Sequence, residues 1–303
     1  MKVTYNWLKD FVDIKITAPQ LADKLTMAGL EVVSLQEKEG DFVFEIEITS
    51  NRPDWLSLVG IAREVAALTG RKLKVPQAKS AKYTAGSMQP LAIQVEDKKD
   101  CPLYTARIIK DVKVAPSPVW LKKRLELVGC RSVNNIVDIT NYVLFELGEP
   151  LHAFDLAKLN PEGVIIRRAK NSEKLLTIDG ENRQLNSNIL VIADREKPIA
   201  LAGVMGGKDT EVTTGTKDIL LESAVFNPVI IRRARQALGI QSEASYRFER
   251  GVDLASVEKA SLKAARSIQE LAGGNQVGYQ VKGVTKAQAK NIGLEISKVK
   301  KIQ

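Results

Sequence analysis

The stretch PIALAGVMGG at residues 198–207, followed by ILLESAVF at 219–226 and SEASYRFERGVD at 242–253, decides how this chain is read. In the first part an apolar run ends in Gly206-Gly207. Paired glycines let the backbone turn sharply, or let a ligand approach it closely. In the second part Glu222 ends the apolar run Ile219-Leu220-Leu221, and the small residues Ser223 and Ala224 follow it. A carboxylate at the edge of an apolar segment needs a hydrogen-bond partner or a pocket, because burying it alone is expensive. Ser242 and Ala244 lie in a turn-like segment ahead of Arg247 and Arg250. Small side chains, one acceptor and nearby cations point to a cleft for a polar ligand. The same residues also read as a glycine turn, a strand edge and a solvated basic helix, because single local motifs match widely by chance.

Outward from this stretch, strands and helices come in mixed order. Strand-like runs are expected at LAIQVE, YTARIIKDV, VIIRRA, KLLTI, ILVIAD, PIALAGV and 219–226, with Asp179-Gly180 as a hairpin turn. Pro116-Ser117-Pro118 opens a helix that turns Leu121, Leu125 and Val128 inward and closes at Gly129. Further helices are expected at 134–147, 228–238 and 254–271. No regular strand–helix–strand alternation appears, so the fold class is α+β rather than doubly wound.

Toward the N-terminus, Thr17 is a candidate helix cap with Pro19 in the first turn, and Gly29 stops that helix. Residues 31–36 and 41–48 read as a hairpin turning at Glu39-Gly40, where FVFEIEI alternates as a half-buried strand should. A helix to Thr69 follows, ended by Gly70. The expected organisation is a small N-terminal α+β module at 1–75, a linker at 76–90 rich in small and polar residues, a larger mixed α/β domain at 91–283, and at 284–303 the start of a truncated further domain.

Composition narrows the function classes. Hydrophobic residues make up 44% of the 303 and charged residues 27%, which is ordinary for a globular protein. No apolar run approaches the roughly 18 residues of a membrane span, and no signal-peptide core is present. Cys101 and Cys130 make neither a disulfide framework nor a zinc site, so a reducing, cytoplasmic setting is expected. A net charge of +9 favours an anionic partner such as nucleic acid. Aromatics at 5% argue against base-stacking platforms. His152 is the single histidine, which rules out a histidine-rich metal site and leaves no metal expected. Taken alone, a lone histidine is more often a structural group donating to a backbone carbonyl. No phosphate loop and no nucleophile elbow occur. What remains is a pocket without a strong nucleophile, one that would act by orienting a water and an activated ester.

Together, EIEITSNRPDWLSLVGIAREVAALTG at 45–70, DITNYVLFELGEPLHAFDLAKL at 138–159, IALAGVMGG, ILLESAVF and SEASYRFERGVD resemble the bacterial phenylalanyl-tRNA synthetase β-subunit family over nearly the whole chain. The resemblance implies that 91–283 is an editing domain that hydrolyses tyrosine wrongly attached to the phenylalanine tRNA. It implies that Glu222 accepts a hydrogen bond from the tyrosine phenol, and that His152 and Asn141 lie near the ester and the terminal adenosine. Gly206 and Gly207 would belong to the glycine loop of the pocket, with Ser242 and Ala244 in its wall. Many relatives carry threonine where Ser242 stands. The implied partners are the α subunit and the aminoacyl end of the tRNA. No cofactor is implied for this segment; ATP and magnesium belong to the complete synthetase, whose α subunit activates the amino acid. Two departures stand out: the oligonucleotide-binding barrel usual in the family is missing near Glu39-Gly40, and so is the family's C-terminal half. Arg232, Arg233, Arg235, Arg247 and Arg250 are expected either to meet tRNA phosphate or to pair with acids. Two other readings stay open: a binding module that only docks the α subunit or RNA, and a free-standing trans-editing factor.

Overall fold

The computed structural model describes residues 1–75, 92–286, 291–293 and 295. Within the first 75, the elements are β1 (Lys2–Thr4), α1 (Tyr5–Lys9), α2 (Ala18–Met27), β2 (Val32–Lys38), β3 (Asp41–Ile46) and α3 (Leu58–Thr69). Thr17 caps α2 as its side chain predicts: Thr17 Oγ1 accepts from the Gln20 amide at 3.4 Å, while Gln20 Oε1 accepts from the Thr17 amide at 3.0 Å. Glu39 and Gly40 turn the β2–β3 hairpin at φ of 50° and 75°, the positive pair that a two-residue turn requires. β1 completes a three-stranded sheet in the order β1-β3-β2. Neither β1 nor α1 is visible as a pattern in the sequence, because each is too short to show a period.

From residue 92 onward come β4 (Ile93–Val95), β5 (Leu103–Val112), α4 (Val119–Leu127), α5 (Asn135–Leu147), β6 (Leu151–Asp155), β7 (Val164–Arg168), β8 (Lys174–Leu176), β9 (Asn182–Gln184), β10 (Leu190–Ala193), β11 (Pro198–Leu201) and β12 (Met205–Gly206). β13 (Ile219–Val225), α6 (Pro228–Leu238), α7 (Glu243–Phe248), α8 (Ser256–Ala272) and β14 (Gly273–Gly283) follow. An antiparallel sheet runs β14-β5-β13-β6, and a mixed sheet runs β12-β11-β10-β7-β4 with only β4 and β7 parallel. Helices and these sheets make an α+β fold, as expected. Ser242 and Ala244, read as turn-like, are instead the N-cap and the second residue of the helix α7, which is too short for an amphipathic period to reveal it.

The core sits on both faces of the β14-β5-β13-β6 sheet. Along β13, Ile219 and Leu221 join one buried cluster, while Leu220 and Ala224 join the other. That split is the two-residue period of a strand buried on both sides. The first cluster packs helices α5 and α8 on the sheet and continues through Leu121 and Ile139 to Trp7, Phe44 and Ile61 of the first 75 residues. The second lies between this sheet and the mixed sheet, with Tyr104, Phe154, Val191 and Ile199. The expected linker at 76–90 and most of the tail at 284–303 lie outside the described residues. No helix among the described residues is long and apolar enough to cross a membrane.

Candidate functional site

Strand pairing assembles the site. β13 is the interior strand between β5 and β6, and Glu222 stands at its middle, in register with Ala106 on one side and His152 on the other. The carboxylate expected at the edge of an apolar segment is therefore central to a sheet and only 6% exposed. Directly paired residues project from the same face. Glu222 and His152 thus point together toward the mixed sheet, where β12 brings Gly206. A Cβ built on Gly206 would stand 2.5 Å from His152 Cε1 and 2.7 Å from Nε2. Only glycine lets the imidazole lie against the β12 backbone. His152 also meets Phe154 edge-on, with centroids 4.5 Å apart.

A cavity of about 350 Å³ opens here, lined by Asn141, His152, Gly206, Glu222, Ser242 and Ala244 among others. Asn134 positions the α5 wall: its side chain accepts from the Ile136 and Val137 amides at 3.0 and 2.9 Å, which starts α5. Val137, Asn141 and Leu144 then fall at helical spacing along the cavity. Ser242 is the N-cap of α7. Its hydroxyl accepts from the Ser245 amide at 3.0 Å and donates to the Val204 carbonyl at 2.8 Å, tying the glycine loop to α7. Gly207 is not among the lining residues; it packs behind the loop, where an added Cβ would stand 2.3 Å from the Ile199 carbonyl oxygen. Gly203 does line the cavity, at a φ of 66° and tight against Phe248 and Phe226. Nothing in the sequence distinguishes it from the other loop glycines.

Burial dominates the electrostatics. It raises the Glu222 pKa from 4.5 to about 8, partly opposed by the nearby Tyr104 phenol, and lowers that of His152 from 6.5 to about 4. At pH 7 both groups are mainly neutral. Glu222 Oε2, His152 Nε2 and Tyr104 Oη are buried without a partner of normal hydrogen-bond geometry. On the opposite face of the sheet, Glu149 is pushed well above the usual carboxylate range by burial. It accepts from Ser223 Oγ at 3.3 Å and from Ser256 Oγ at 3.2 Å, joining the start of β6 to β13 and α8.

The five arginines divide. Arg247 is buried; its Nε donates to the Leu56 carbonyl at 2.9 Å and its Nη1 to Glu243 Oε2 at 2.6 Å, with the guanidinium 5.2 Å from the Phe145 centroid. It fastens α7 to the first 75 residues and is out of reach of tRNA phosphate. Arg235 pairs with Glu249 at 2.8 Å, and Arg250 pairs with Glu249 while donating to the Tyr246 carbonyl at 3.0 Å. Arg232 and Arg233 are exposed on α6.

Comparison with known proteins bears on the identity. Phenylalanine–tRNA ligase beta subunit from Rhodopirellula baltica is 44% identical over 91% of this chain and 40% of its own length. The protein of the same name from Carboxydothermus hydrogenoformans is 50% identical over 78% of the chain and 30% of its own length. The chain thus spans less than half the length of these curated relatives. A crystal structure of an N-terminal fragment of the phenylalanyl-tRNA synthetase beta-subunit from Pyrococcus horikoshii aligns over 80% of the chain and 73% of its own, at 16% identity and a TM-score of 0.41, a likeness too loose to bear on the site. The B3/4 domain profile matches residues 100–273. That match takes in more than half of the chain and every residue of the cavity named above, so the chain belongs to the B3/4 domain family, in the form carried by phenylalanine–tRNA ligase beta subunits.

Proposed function

We propose that this chain is the proofreading part of a phenylalanine–tRNA ligase beta subunit, hydrolysing tyrosine mis-attached to the phenylalanine tRNA. The observation that carries the reading is a buried carboxyl, Glu222, facing a cavity of about 350 Å³ beside the single histidine. A synthetic pocket for phenylalanine rejects tyrosine weakly, since the two differ by one hydroxyl. A second site that pairs with that hydroxyl reverses the preference. Tyrosine gives Glu222 its missing partner, whereas phenylalanine leaves a buried acceptor unpaired at about 1–3 kcal/mol.

Catalysis in this reading is by placement. His152, with its pKa near 4, is a feeble proton acceptor at pH 7. Its neutral imidazole still offers one N–H and one lone pair to the ester or to a water. Asn141 lies on the α5 wall, where it meets the terminal adenosine; Gly206 backs the imidazole, and Ser242 and Ala244 close the far wall. Gly207 acts from behind the loop, through the close approach of the Ile199 carbonyl that it permits. The whole enzyme, in the cytoplasm, joins this chain to an α subunit and binds the tRNA.

Deacylation of tyrosyl-tRNA and phenylalanyl-tRNA by the 303-residue chain tests the reading. Faster release of tyrosine is expected, with Glu222→Ala losing that preference by tenfold or more. Equal tyrosine-to-phenylalanine ratios before and after the substitution refute it and leave a binding module.

A further inference from the structure

Tyr104 is fully buried on β5, in register with Ala224 of β13. It therefore projects from the same face as Glu222, one diagonal step away, a separation that an aromatic side chain spans. Glu222 lines the cavity and Tyr104 does not, so the phenol stands behind the carboxyl rather than beside the ligand space. Buried polar groups are ordinarily paired. Here Tyr104 Oη and Glu222 Oε2 are both buried and both lack a partner of normal geometry. The phenol nevertheless stands near enough to oppose part of the burial-driven rise of the Glu222 pKa. The other titratable groups around the carboxyl are Cys101 ahead of β5, His152 on β6, Glu149 behind the sheet, and Glu211 and Glu243 around the cavity.

We propose that Tyr104 is a positioning and specificity-determining residue of this cleft: its phenol takes one oxygen of the Glu222 carboxylate from behind, leaving the other for the hydroxyl of a 4-hydroxyphenyl ligand. The proposal rests on the proofreading reading of the cleft. An ionised carboxylate accepts several hydrogen bonds, and each donor stabilises the charge. The internal phenol and the ligand phenol therefore reinforce one another across one acceptor. A phenyl ligand supplies no second donor, so the carboxyl stays protonated and gives it no advantage.

Binding of the non-hydrolysable 3′-amide analogues of tyrosyl- and phenylalanyl-adenosine to the 303-residue chain, from pH 6 to pH 9, tests this. The unmodified chain is expected to prefer the tyrosyl analogue, with affinity rising through a midpoint near the Glu222 pKa of about 8. Tyr104→Phe is expected to lose about tenfold in tyrosyl affinity, as for one hydrogen bond to a charged group. Its phenylalanyl affinity stays unchanged, and the pH rise moves upward. A merely structural role for the phenol would weaken both analogues together and leave the midpoint alone. If Tyr104→Phe does not fold, 3-fluorotyrosine installed at position 104 keeps the ring and strengthens the donor, and should move the midpoint downward. A tyrosyl preference with the midpoint unmoved in these variants overturns the role of Tyr104 and leaves the cleft reading intact. No tyrosyl preference in the unmodified chain overturns both.

Discussion

Replacing Glu222 by glutamine should stabilise the empty protein at alkaline pH. Burial raises the Glu222 pKa from 4.5 to about 8. A carboxyl whose folded pKa is raised contributes its full stability below the unfolded value and loses it as pH climbs through the folded one. The window is therefore pH 4.5 to 8, and at about 1.36 kcal/mol per pH unit the whole span amounts to about 5 kcal/mol. His152 works in the opposite sense. Its pKa falls from 6.5 to about 4, so its contribution is complete above pH 6.5 and is lost as pH falls toward 4. The two nearly cancel between pH 4.5 and 6.5, which leaves the Glu222 slope bare above that. Urea unfolding of the parent and Glu222→Gln at pH 6.5, 7, 8 and 9 reads the difference. The parent should lose about 2 kcal/mol more than the variant between pH 6.5 and 9. Other titrating groups, including the raised Glu149, are common to both proteins and drop out of the comparison. Parallel curves across that range would falsify the claim that Glu222 is held neutral by burial, and with it the account of a carboxyl awaiting a donor.

Three further outcomes follow from the same geometry. His152→Gln should remove the acid-side loss, gaining about 3 kcal/mol relative to the parent between pH 6.5 and 4 in the same urea series; an unchanged acid limb would mean that the imidazole charges freely in the fold. Gly206→Ala places a methyl 2.5 Å from the His152 ring, and should lower stability by about 1–3 kcal/mol and abolish tyrosyl-tRNA deacylation, read by thermal melting and by release of tyrosine. Arg247→Met leaves the Leu56 carbonyl without its buried donor, and should destabilise by about 3 kcal/mol while leaving the phosphate-dependent part of tRNA binding, measured as its salt slope, unchanged.

Much of the architecture is legible before any coordinates. The α2 cap at Thr17, the Glu39-Gly40 hairpin, the α5 start at Asn134 and the α6 limits at 228–238 follow from side chains that bond or turn their own backbone. Local signals fail where an element is short or where its partner is remote. α7 shows too few turns for a period, and β6 places His152 in a strand of only five residues. The sequence puts Glu222 at the rim of an apolar segment; pairing on both sides puts it in the middle of a sheet. Gly206 and Gly207 look alike as a dipeptide, yet one faces the imidazole and the other faces the Ile199 carbonyl.

By itself the amino-acid sequence determined the fold class, the family resemblance and the residue types available for chemistry, because caps, turns and hydrophobic periods act within a few positions of themselves. Only the tertiary structure decided which of those residues meet. Glu222, His152, Gly206 and Tyr104 come from four different strands, and their meeting depends on strand register and on the approach of one sheet to another. Those relations are set by packing between distant segments, as is the burial of the Glu222 carboxyl and of His152 Nε2 that holds both groups neutral.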